Sequence, residues 1–554
     1  MKMLRVKHLS WTAASIALVL ASSTTFLSCS KESEQIEETA QLEGTKLVLN
    51  VSGIDEGRGI SAKGASASAD VSKQNTAKIV EFPEFDAVLA IDDNVPLKAS
   101  QRVVKAAKSG SSAGVRAAAV ENGVKYRLYL FSQDGTQLIS STLFTSGTQG
   151  TLDVKQGTTY KWVALSYNTG EEVADISTTN TKINLPAGKD ILYATGVTSI
   201  PTGGTTVNVP INIAFKHKFA RLGVELNSEG MFANMTGAKV AVAGLKTATI
   251  DVATGGLSDL ITADQEIPFA TFVDIDPAYQ DAKIAYAYTA DPTRVIGGIK
   301  VSVSNLALRI DNNTIRQFSS TPVDFAFNVT PTLGNSQRLL VNLIESPLTI
   351  DGVRWARQNL YYQAGHNPYR FHHTYAHSNA RNTYFSFGGV EPTKFGTYKD
   401  ACSLVYPQGV WRQASENDFR KLTGVLGIGG KQVTYGKVGN KGYFEYDATG
   451  TTAPYPSNKL RFNFNGGSYN INFLDIQIIP AFSLQNDGTR AEVWTGTAGL
   501  DFGGLAGYGA WYYHGDNGLL TGNTDDLTAS LLNFATASGN FAQSQMKNIR
   551  CVRK

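Results

Sequence analysis

The sequence predicts a mainly β protein, with two β-sandwiches followed by a C-terminal α+β domain. Residues 30–346 alternate between apolar and polar positions in short segments separated by Gly, Thr and Asn, and they show almost no helical periodicity. The composition changes near Leu348, since four of the five Trp that follow residue 29 occur beyond it. A chain of 554 residues is long enough for several domains of roughly 150 residues each. We therefore expect sandwiches at 30–205 and 206–346 and a third domain at 347–554.

The first 29 residues have the features of an export signal. Three basic residues occur in the first seven positions, and the apolar segment from Trp11 to Leu20 that follows is too short to span a bilayer. The segment ends in Phe26-Leu27-Ser28-Cys29, which resembles a lipobox and implies that Cys29 is acylated as the anchor of an outer-membrane lipoprotein precursor. We predict a lipoprotein signal peptide over 1–29, and the alternative is an ordinary secretory signal with a chance Cys.

Charge and cysteine content exclude several classes of protein. The chain has 50 basic and 47 acidic residues, a net charge of +3, whereas nucleic-acid-binding domains usually carry a strong basic excess. Without residues 1–29, which hold three basic residues, the net charge is zero. That neutrality hides two unlike parts, because 30–346 holds 28 basic and 33 acidic residues, whereas 347–554 holds 19 and 14. Three Cys are too few for a disulfide-dense scaffold or a Cys-rich zinc protein.

Seven segments in the first part have the alternation of half-buried strands. They are 46–51, 125–131, 160–165, 209–215, 222–226, 300–303 and 339–343. Asp134-Gly135 follows the second of them and is a strong signal for a tight turn, so we expect a hairpin there. Because the whole region is too long for one sandwich of about 100 residues, we place a boundary between two sandwiches near residue 205.

Four of these features together resemble the fimbrillin family, the pilins of Bacteroidetes type V pili. They are the lipobox, the strand at 46–51, the strand that ends in Phe131-Ser132-Gln133-Asp134-Gly135, and the segment His217-Lys218-Phe219-Ala220-Arg221-Leu222. The resemblance covers residues 30–346 and implies two transthyretin-like β-sandwich domains. Within the family, the chain is most similar to the tip accessory subunits of FimA-type major fimbriae, the FimC, FimD and FimE group.

The resemblance implies assembly by donor-strand exchange. A sandwich that lacks one strand exposes unpaired N–H and C=O groups, and a strand from another subunit completes it. In the family, cleavage after an Arg releases the first strand and opens this groove. The candidates here are Arg58, Arg102 and Arg116, each near a Gly-, Ser- or Ala-rich stretch. We favour Arg116 because little obvious core precedes it, and the alternative is that all three are loop arginines without a role.

Residues 347–554 resemble a different fold. The resemblance depends on an ordered series of short motifs: 351–360 (DGVRWARQNL), 407–412 (PQGVWR), 416–422 (ENDFRKL), 480–482 (PAF), 493–495 (VWT) and 549–553 (IRCVR). This order is similar to the fibrobacter-type paralogous domains, which are related to the C-type-lectin-like and formylglycine-generating-enzyme-like folds. It implies an α+β C-type-lectin-like domain. The segment from Ser415 to Leu426 has the best amphipathic helix pattern, with Ser415 as N-cap and Asp418 completing an acidic capping box.

Cys402 and Cys551 are the two Cys that remain after the signal segment. An exported chain meets an oxidising environment, so a disulfide between them is our first interpretation. The lectin-like resemblance also implies a bond between an early Cys and the last strand. Two free buried thiols are the alternative.

No catalytic or cofactor motif stands out in the sequence. The formylglycine-generating enzymes use a redox-active Cys pair, whereas both Cys here are at structural positions, and no Gly-x-Ser-x-Gly, His-Glu-x-x-His or phosphate-binding Gly loop is recognisable. The lectin-type calcium signatures Glu-Pro-Asn and Trp-Asn-Asp are absent, which argues against calcium-dependent sugar binding. We therefore predict no enzyme activity and no cofactor.

His366, His372, His373 and His377 form a dense run among aromatic residues. A zinc site would need a further Cys or carboxylate cluster, and that segment supplies none. We interpret the run as a solvated, aromatic-rich loop and predict no metal there.

A Gly- and aromatic-rich stretch at 507–518 is the best candidate for a recognition surface. Large amphipathic rings supply contact area at low entropic cost, and nearby Asp and Asn side chains can bind a sugar or a protein loop. In a strand, alternation would bury Trp511 and Tyr513 as core residues, which is the alternative reading, and would turn their neighbours outward. The predicted ligand surface consists of Tyr512, His514, Asp516 and Asn517.

Two functions from different classes are compatible with these features. The favoured one is an accessory tip subunit of a surface fimbrium that mediates adhesion or recognition. Its expected partners are other fimbrial subunits through donor-strand complementation, a glycan or matrix protein, and the outer membrane through the lipid anchor before assembly. It is favoured because ordinary fimbrillins end in a strand available for donation, whereas here the C-terminal segment 550–554 contains a Cys of the expected disulfide. The alternative is a free-standing surface lipoprotein that binds glycans, with the sandwiches as spacers.

Overall fold

The computed structural model of the protein describes residues 44–55, 60–61, 78–92, 95–96, 117–203, 207–293, 295–318, 320–392, 394, 399–425, 428–469, 482–501, 506–514 and 545–554. These residues are mainly β, as predicted, with one α-helix and short 3-10 helices at Phe269–Thr271, Arg381–Thr383 and Ala401–Leu404. Among them, no helix has both the length and the apolar character needed to cross a membrane.

The first group of strands, within residues 45–217, supplies the whole N-terminal sheet and several strands of other sheets. The strands are β1 (Thr45–Asp55), β2 (Ile60–Ser61), β3 (Lys78–Glu81), β4 (Phe85–Asp92), β5 (Val95–Pro96), β6 (Ala117–Ala118), β7 (Lys125–Ser132), β8 (Leu138–Thr145), β9 (Gly150–Asp153), β10 (Thr159–Ser166), β11 (Lys182–Asn184), β12 (Leu192–Ser199) and β13 (Val207–His217). The N-terminal sheet has the order β6-β1-β13-β12-β10-β7-β8, with β9 also paired to β1. Apolar side chains from its strands form one buried cluster that includes Leu49, Tyr126, Trp162 and Phe215.

The predicted hairpin joins β7 to β8. Gly135 at its turn has φ +78°, a conformation that Gly adopts without steric cost. The Asp134 carboxylate accepts a hydrogen bond from the Thr136 N–H at 3.1 Å, which stabilises the turn.

The second group of strands supplies most of two facing sheets, which, together with β3 and β4, we call the middle sandwich. The strands are β14 (Ala220–Gly230), β15 (Ala233–Ala243), β16 (Lys246–Asp251), β17 (Leu257–Thr262), β18 (Gln265–Ile267), β19 (Val273–Asp274), β20 (Ala282–Thr289), β21 (Val295–Ile310), β22 (Ile315–Gln317), β23 (Val323–Val329) and β24 (Ser336–Glu345). One sheet has the order β19-β20-β14-β24-β4-β3, and the other has the order β18-β15-β21-β22 with β23 paired to β21. Apolar side chains of both sheets belong to one buried cluster, as in a sandwich. A separate sheet, β11-β16-β17, packs Ile183 and Ile250 against the other face of the N-terminal sheet.

The third group contains the helix and a ten-stranded sheet, the C-terminal sheet. The elements are β25 (Leu348–Ile350), β26 (Val353–Tyr362), β27 (Tyr369–Phe371), β28 (Phe385–Ser386), β29 (Trp411–Gln413), α1 (Glu416–Thr423), β30 (Gly424–Val425), β31 (Ile428–Gly429), β32 (Val433–Val438), β33 (Lys441–Asp447), β34 (Lys459–Asn463), β35 (Gly467–Tyr469), β36 (Leu484–Gln485), β37 (Arg490–Asp501), β38 (Ala506–His514) and β39 (Gln545–Arg553). The main order is β25-β26-β39-β35-β36. Strand β27 is paired to β26, and strand β38 is paired to β37. Strands β28, β29 and β37 are each paired to β39. Buried clusters cover both faces of this sheet.

Helix α1 begins with the predicted capping box. The Ser415 N–H donates to the Asp418 carboxylate at 2.7 Å, and the Asp418 N–H donates to the Ser415 hydroxyl at 3.2 Å. The helix ends at Thr423, three residues before the predicted end, because Gly424 and Val425 pair with β31 instead.

Two segments belong to sheets other than those that the division at residue 205 implies. Strand β13 follows that position, yet it pairs along its length with β1 and so completes the N-terminal sheet. Strands β3 and β4 precede it, yet β4 pairs with β24 from Arg338–Asp92 to Glu345–Phe85 in the middle sandwich. The six residues from Phe85 to Ala90 are all buried, a pattern that predicts a strand covered on both faces without indicating which sheet receives it.

The middle sandwich and the C-terminal sheet share a hydrophobic core. Val88, Phe232 and Ile344 of the sandwich lie in one buried cluster with Phe371 and Trp411 of the C-terminal sheet. The rings of Phe232 and Phe371 are 5.1 Å apart in an edge-to-face arrangement. These two parts of the chain are therefore packed together as a protein interior is, with no solvated linker between them.

Candidate functional site

Strand β1 fills a slot in the N-terminal sheet. It pairs in parallel with β13 from Thr45–Val207 to Asp55–Lys216, and its other edge pairs antiparallel with β9. Leu47, Leu49 and Ile54 are buried in or beside the core, with 0%, 5% and 0% of their surface exposed. A register shift between Val51 and Gly53 lets the inward face continue to the end of the strand.

The polar side-chain contacts of β1 are few, and each is exposed or partly buried. The Asn50 amide donates to Asn212 at 2.8 Å in an exposed position, and Ser52 donates to the Ile213 carbonyl at 3.0 Å. The ion pair between Lys46 and Asp153 spans 3.8 Å and is largely exposed, so it contributes little. Backbone pairing and one apolar face therefore provide most of what holds β1, and another strand with the same alternation can make both kinds of contact.

The three candidate cleavage positions differ in what a cut would release. Arg58, Arg102 and Arg116 all lie outside the described residues. In chain order, Arg58 lies between β1 and β2, so a cut after it detaches β1 without β4. Cuts after the other two also detach β4, in which Phe85 and Leu89 are 2% and 5% exposed within the sandwich core.

Our expectation that little core precedes Arg116 is wrong. Strands β1 and β4 both lie before it and both contribute buried side chains. The sequence did not reveal this contribution because β4 is separated from its partner β24 by more than 240 positions, from Asp92 to Arg338.

Strand β39 has the opposite character to β1. All nine of its residues are buried, and it pairs with β26, β28, β29, β35 and β37. The structure contains the Cys402–Cys551 disulfide, with the two Cα atoms 5.7 Å apart. This bond ties β39 to the 3-10 helix at Ala401–Leu404.

Two buried arginines hold β39 in addition. Arg550 is fully buried and donates to the Asn359 side chain at 2.8 Å and to the Ala356 carbonyl at 3.2 Å. Arg553 donates to the Asp86 carboxylate at 3.1 Å, with both side chains at most 2% exposed, and so links β39 to β4 of the middle sandwich. Burial raises the pKa of Asp86 to about 6 although Arg553 acts in the opposite direction. Burial likewise lowers the pKa of Arg553 to about 10.

The four His of the dense run do not form one cluster, and the interpretation as a solvated loop is wrong because all four are half-buried. His366 lies 2.7 Å from the Asp281 carboxylate, and His377 lies 2.6 Å from the Asp487 carboxylate. His372 stacks on Tyr361 with ring centroids 4.6 Å apart. The His373 carbonyl accepts a hydrogen bond from Arg316.

One possible metal-binding group includes a residue of this run. Within the described ranges, Glu229, Asp281 and His366 form the one group of three His, Cys, Asp or Glu side chains close enough to share an ion. Sequence reasoning considered only carboxylates near the His run and therefore missed the other two residues, which lie about 85 and 137 positions earlier. No local motif marks them.

The predicted ligand surface falls mostly outside the described residues. Asp516 and Asn517 lie outside, and for Tyr512 and His514 only the backbone, on β38, is described. In the register of this strand, Tyr512 is opposite Glu492 and His514 is opposite Arg490 on β37. The proposed Cys29 anchor also lies outside the described residues.

The chain was compared with families, curated proteins and solved structures. No family model matches it, and no curated protein matches it. A crystal structure from Bacteroides fragilis NCTC 9343, provisionally named as a cell adhesion protein, is 12% identical with a TM-score of 0.31, and covers 56% of this chain and 99% of its own. A fimbrial assembly protein from Parabacteroides distasonis ATCC 8503 is 15% identical with a TM-score of 0.22, and covers 39% and 82%. The fimbrial anchor protein Mfa2 from Porphyromonas gingivalis is 14% identical with a TM-score of 0.22, and covers 43% and 92%. At these scores the similarities carry no argument, and the proposals below depend on the chain's own strands and contacts.

Proposed function

We propose that this chain is an accessory subunit of a surface fimbrium that accepts a strand from another subunit in the position of β1. The observation that carries the proposal is the slot between β13 and β9, which β1 fills through backbone pairing and one apolar face. Removal of β1 would leave unpaired N–H and C=O groups and an open core beside Leu152 and Ile211. A donated strand would satisfy both, which is the physical basis of β-augmentation.

In this proposal, the place of the subunit in the fimbrium depends on how firmly β39 is held in its sheet. A strand that is buried throughout, paired on several sides and tied by a disulfide cannot be donated without unfolding the C-terminal sheet. The burial and disulfide of β39 therefore favour a role as strand acceptor rather than donor, and a place at the fimbrial tip, where residues 347–554 would mediate adhesion. Export with a lipid on Cys29, and release from the outer membrane by cleavage, complete this proposal.

Cleavage after Arg58 is the version that the strand order favours, because it frees β1 and leaves β4 joined to the chain. To test it, the full-length chain is treated with an Arg-specific protease, and the new N-termini are identified by mass spectrometry. We expect a product that begins at Gly59 and keeps the Cys402–Cys551 bond. Arg58→Lys should abolish this product, whereas the matched variant Arg116→Lys should not affect it.

Strand acceptance is tested on the cleaved chain with a fluorescent peptide of residues 45–55 as a substitute donor. We expect the cleaved chain to bind it in exchange for its own β1, which is then held only by non-covalent contacts. The intact chain should exclude it, since β1 is still covalently joined there. A peptide with Asn at the positions of Leu47 and Leu49 should bind at least about 100-fold more weakly, because two buried leucines contribute several kcal/mol. Equal binding of both peptides, or no binding after loss of β1, would contradict the proposal.

A further inference from the structure

One His and two carboxylates meet where the middle sandwich contacts the C-terminal sheet. Glu229 is near the end of β14, Asp281 precedes β20, and His366 lies in the loop between β26 and β27. One ligand atom from each lies within 4.8 Å of the others. Glu229 and Asp281 are only 4% and 6% exposed, and His366 is half-buried. Three segments that are far apart in the chain thus bring metal-ligating atoms to one partly enclosed point.

Hydrogen bonds hold these three segments in place independently of any ligand. The Ser228 N–H and hydroxyl both donate to the Asp281 carbonyl, at 2.7 and 3.0 Å. Asn367, the residue after His366, donates through its side chain to the Glu229 carbonyl at 2.8 Å. Such supporting contacts are what a preorganised site requires.

The His366 ring has a fixed orientation. It stacks on the Tyr279 ring with centroids 3.7 Å apart and planes 10° from parallel. Its Nε2 atom faces the Asp281 carboxylate at 2.7 Å. The nitrogen that would bind a metal therefore already points toward one of the carboxylates.

The two buried carboxylates of the group favour a bound cation. The Asp281 carboxylate has His366 as its partner. The Glu229 carboxylate accepts a hydrogen bond only from a neutral side-chain amide, at 3.1 Å, among the hydrogen bonds of the described residues. The basic group that acts on Glu229 is Arg370, whose guanidinium donates to a different carboxylate, Asp311. Two buried carboxylates share one imidazole, so an added positive charge is favourable.

We infer that Glu229, Asp281 and His366 form a Zn²⁺ site that joins the middle sandwich to the C-terminal sheet. Imidazole nitrogen and carboxylate oxygen are both Zn²⁺ ligands, at about 2.0–2.2 Å, and a water molecule can occupy the fourth position of the tetrahedron. Ca²⁺ is a poorer fit, since it prefers 6–8 oxygen ligands. The ion would fix the orientation of the C-terminal sheet on the sandwich, because its ligands come from both. This inference does not depend on strand exchange.

The chain contains a matched control. His377 lies 2.6 Å from Asp487, much as His366 lies beside Asp281. The second neighbour there is the Lys441 ammonium, 2.5 Å from the other Asp487 oxygen, whereas at His366 it is the carboxylate Glu229. A cation is thus already present at His377, and His377→Ala should leave Zn²⁺ binding unchanged.

The test measures Zn²⁺ binding to the full-length chain after dialysis against EDTA, by competition with a chromophoric chelator. We expect one equivalent to bind, and Zn²⁺ to raise the midpoint of thermal unfolding. His366→Ala and the isosteric Glu229→Gln should each weaken binding by about 10- to 100-fold or more. Far-UV circular dichroism of each variant shows whether it is folded, and the isosteric variant preserves the packing of the site.

Co²⁺ provides a second readout, because its visible absorption reports on the ligand set. We expect bands in the unmodified chain and in His377→Ala, and a changed spectrum in Glu229→Gln. The inference is overturned if the unmodified chain binds no Zn²⁺, if Ca²⁺ alone binds, or if Zn²⁺ binding survives both site variants unchanged. If neither ion binds, the group is a structural ion pair between His366 and Asp281 beside Glu229.

Discussion

Strands β1 and β39 are both integral to their sheets, yet they are held by different kinds of contact. Strand β1 alternates between buried and exposed residues, and its polar side-chain contacts are mostly at the surface. Strand β39 is buried at every position and carries a disulfide and two buried arginines. The first kind of contact depends on backbone and shape, which many strands can supply, whereas the second depends on particular partners.

This difference determines which strand can be exchanged. When β1 leaves, the groups that it exposes are backbone N–H and C=O groups and an apolar groove, and any strand of matching alternation satisfies them. When β39 leaves, buried acceptors lose the side-chain donors that β39 supplies, such as the Ala356 carbonyl and the Asn359 side chain that bind Arg550. Each unsatisfied buried acceptor costs about 1–3 kcal/mol. These contacts therefore favour the proposed strand exchange at β1 over exchange at β39.

The largest effect that this comparison predicts is at Arg550. In Arg550→Ala, four hydrogen-bond acceptors lose their donor, and the contact with the Phe462 ring, 4.6 Å from the guanidinium carbon, is also lost. We expect the free energy of unfolding of the C-terminal region to fall by about 4 kcal/mol or more. Urea titration followed by Trp fluorescence measures this loss, because three fully buried Trp lie in that region.

Lys431→Ala is the matched control for that variant. Its partner Asp351 is 3.0 Å away, and both side chains are close to half exposed, so the expected loss is under about 1 kcal/mol. If Arg550→Ala destabilises the region no more than the control, specific buried contacts do not hold β39 and the comparison fails.

A smaller effect is expected at Leu47 in β1. With a protease site introduced into 56–59, cleavage leaves β1 bound only by non-covalent contacts. Leu47 is fully buried, so Leu47→Ala should weaken the hold on β1 by about 3 kcal/mol, or roughly 100-fold in its dissociation constant. Fluorescence of a labelled β1 segment reports its release.

The neighbouring position tests whether this effect is due to burial. Lys46 is exposed and pairs only with the exposed Asp153 at 3.8 Å, so Lys46→Ala should change the dissociation constant by no more than about fivefold. A comparable loss for both variants would show that the apolar face does not govern the exchange.

The sequence was sufficient to predict the local elements of this fold. The alternating segments at 46–51, 160–165 and 339–343 are strands, and Asp134-Gly135 makes the expected turn. These features depend on neighbours within a few residues, and their physical cause is local. The Cys402–Cys551 bond is also present, and its prediction was aided by the small number of Cys, which leaves one pairing after residue 29.

Features that join distant segments could not be predicted in the same way. Nothing within 85–92 shows that β4 belongs beside β24 rather than beside β1, because an apolar strand suits any buried place in a sheet. The group of Glu229, Asp281 and His366 has the same difficulty. Each residue is ordinary in its own segment, and only the packing of the middle sandwich on the C-terminal sheet brings the three together.

The smallest effect that we predict concerns pH and His372, on the C-terminal side of the comparison. Burial, and then the neighbouring His373 and Arg550, lower the pKa of His372 to about 4. Between pH 6.5 and pH 4 the unfolded chain therefore binds a proton at His372 that the folded chain does not, and stability falls as the pH falls. We expect a loss of about 2 kcal/mol by pH 4. This is less than the full pKa shift would give, because the half-buried ring is partly screened by solvent. His372→Gln removes this titration, so the drop in the free energy of unfolding of the C-terminal region between pH 7 and pH 4 should be smaller by that amount.

The hold on β1 should respond equally to acid in both chains, because His372 has no part in the N-terminal sheet. An unchanged acid response in His372→Gln would mean that His372 takes up its proton in the folded state, and that burial around β39 is looser than its contacts indicate.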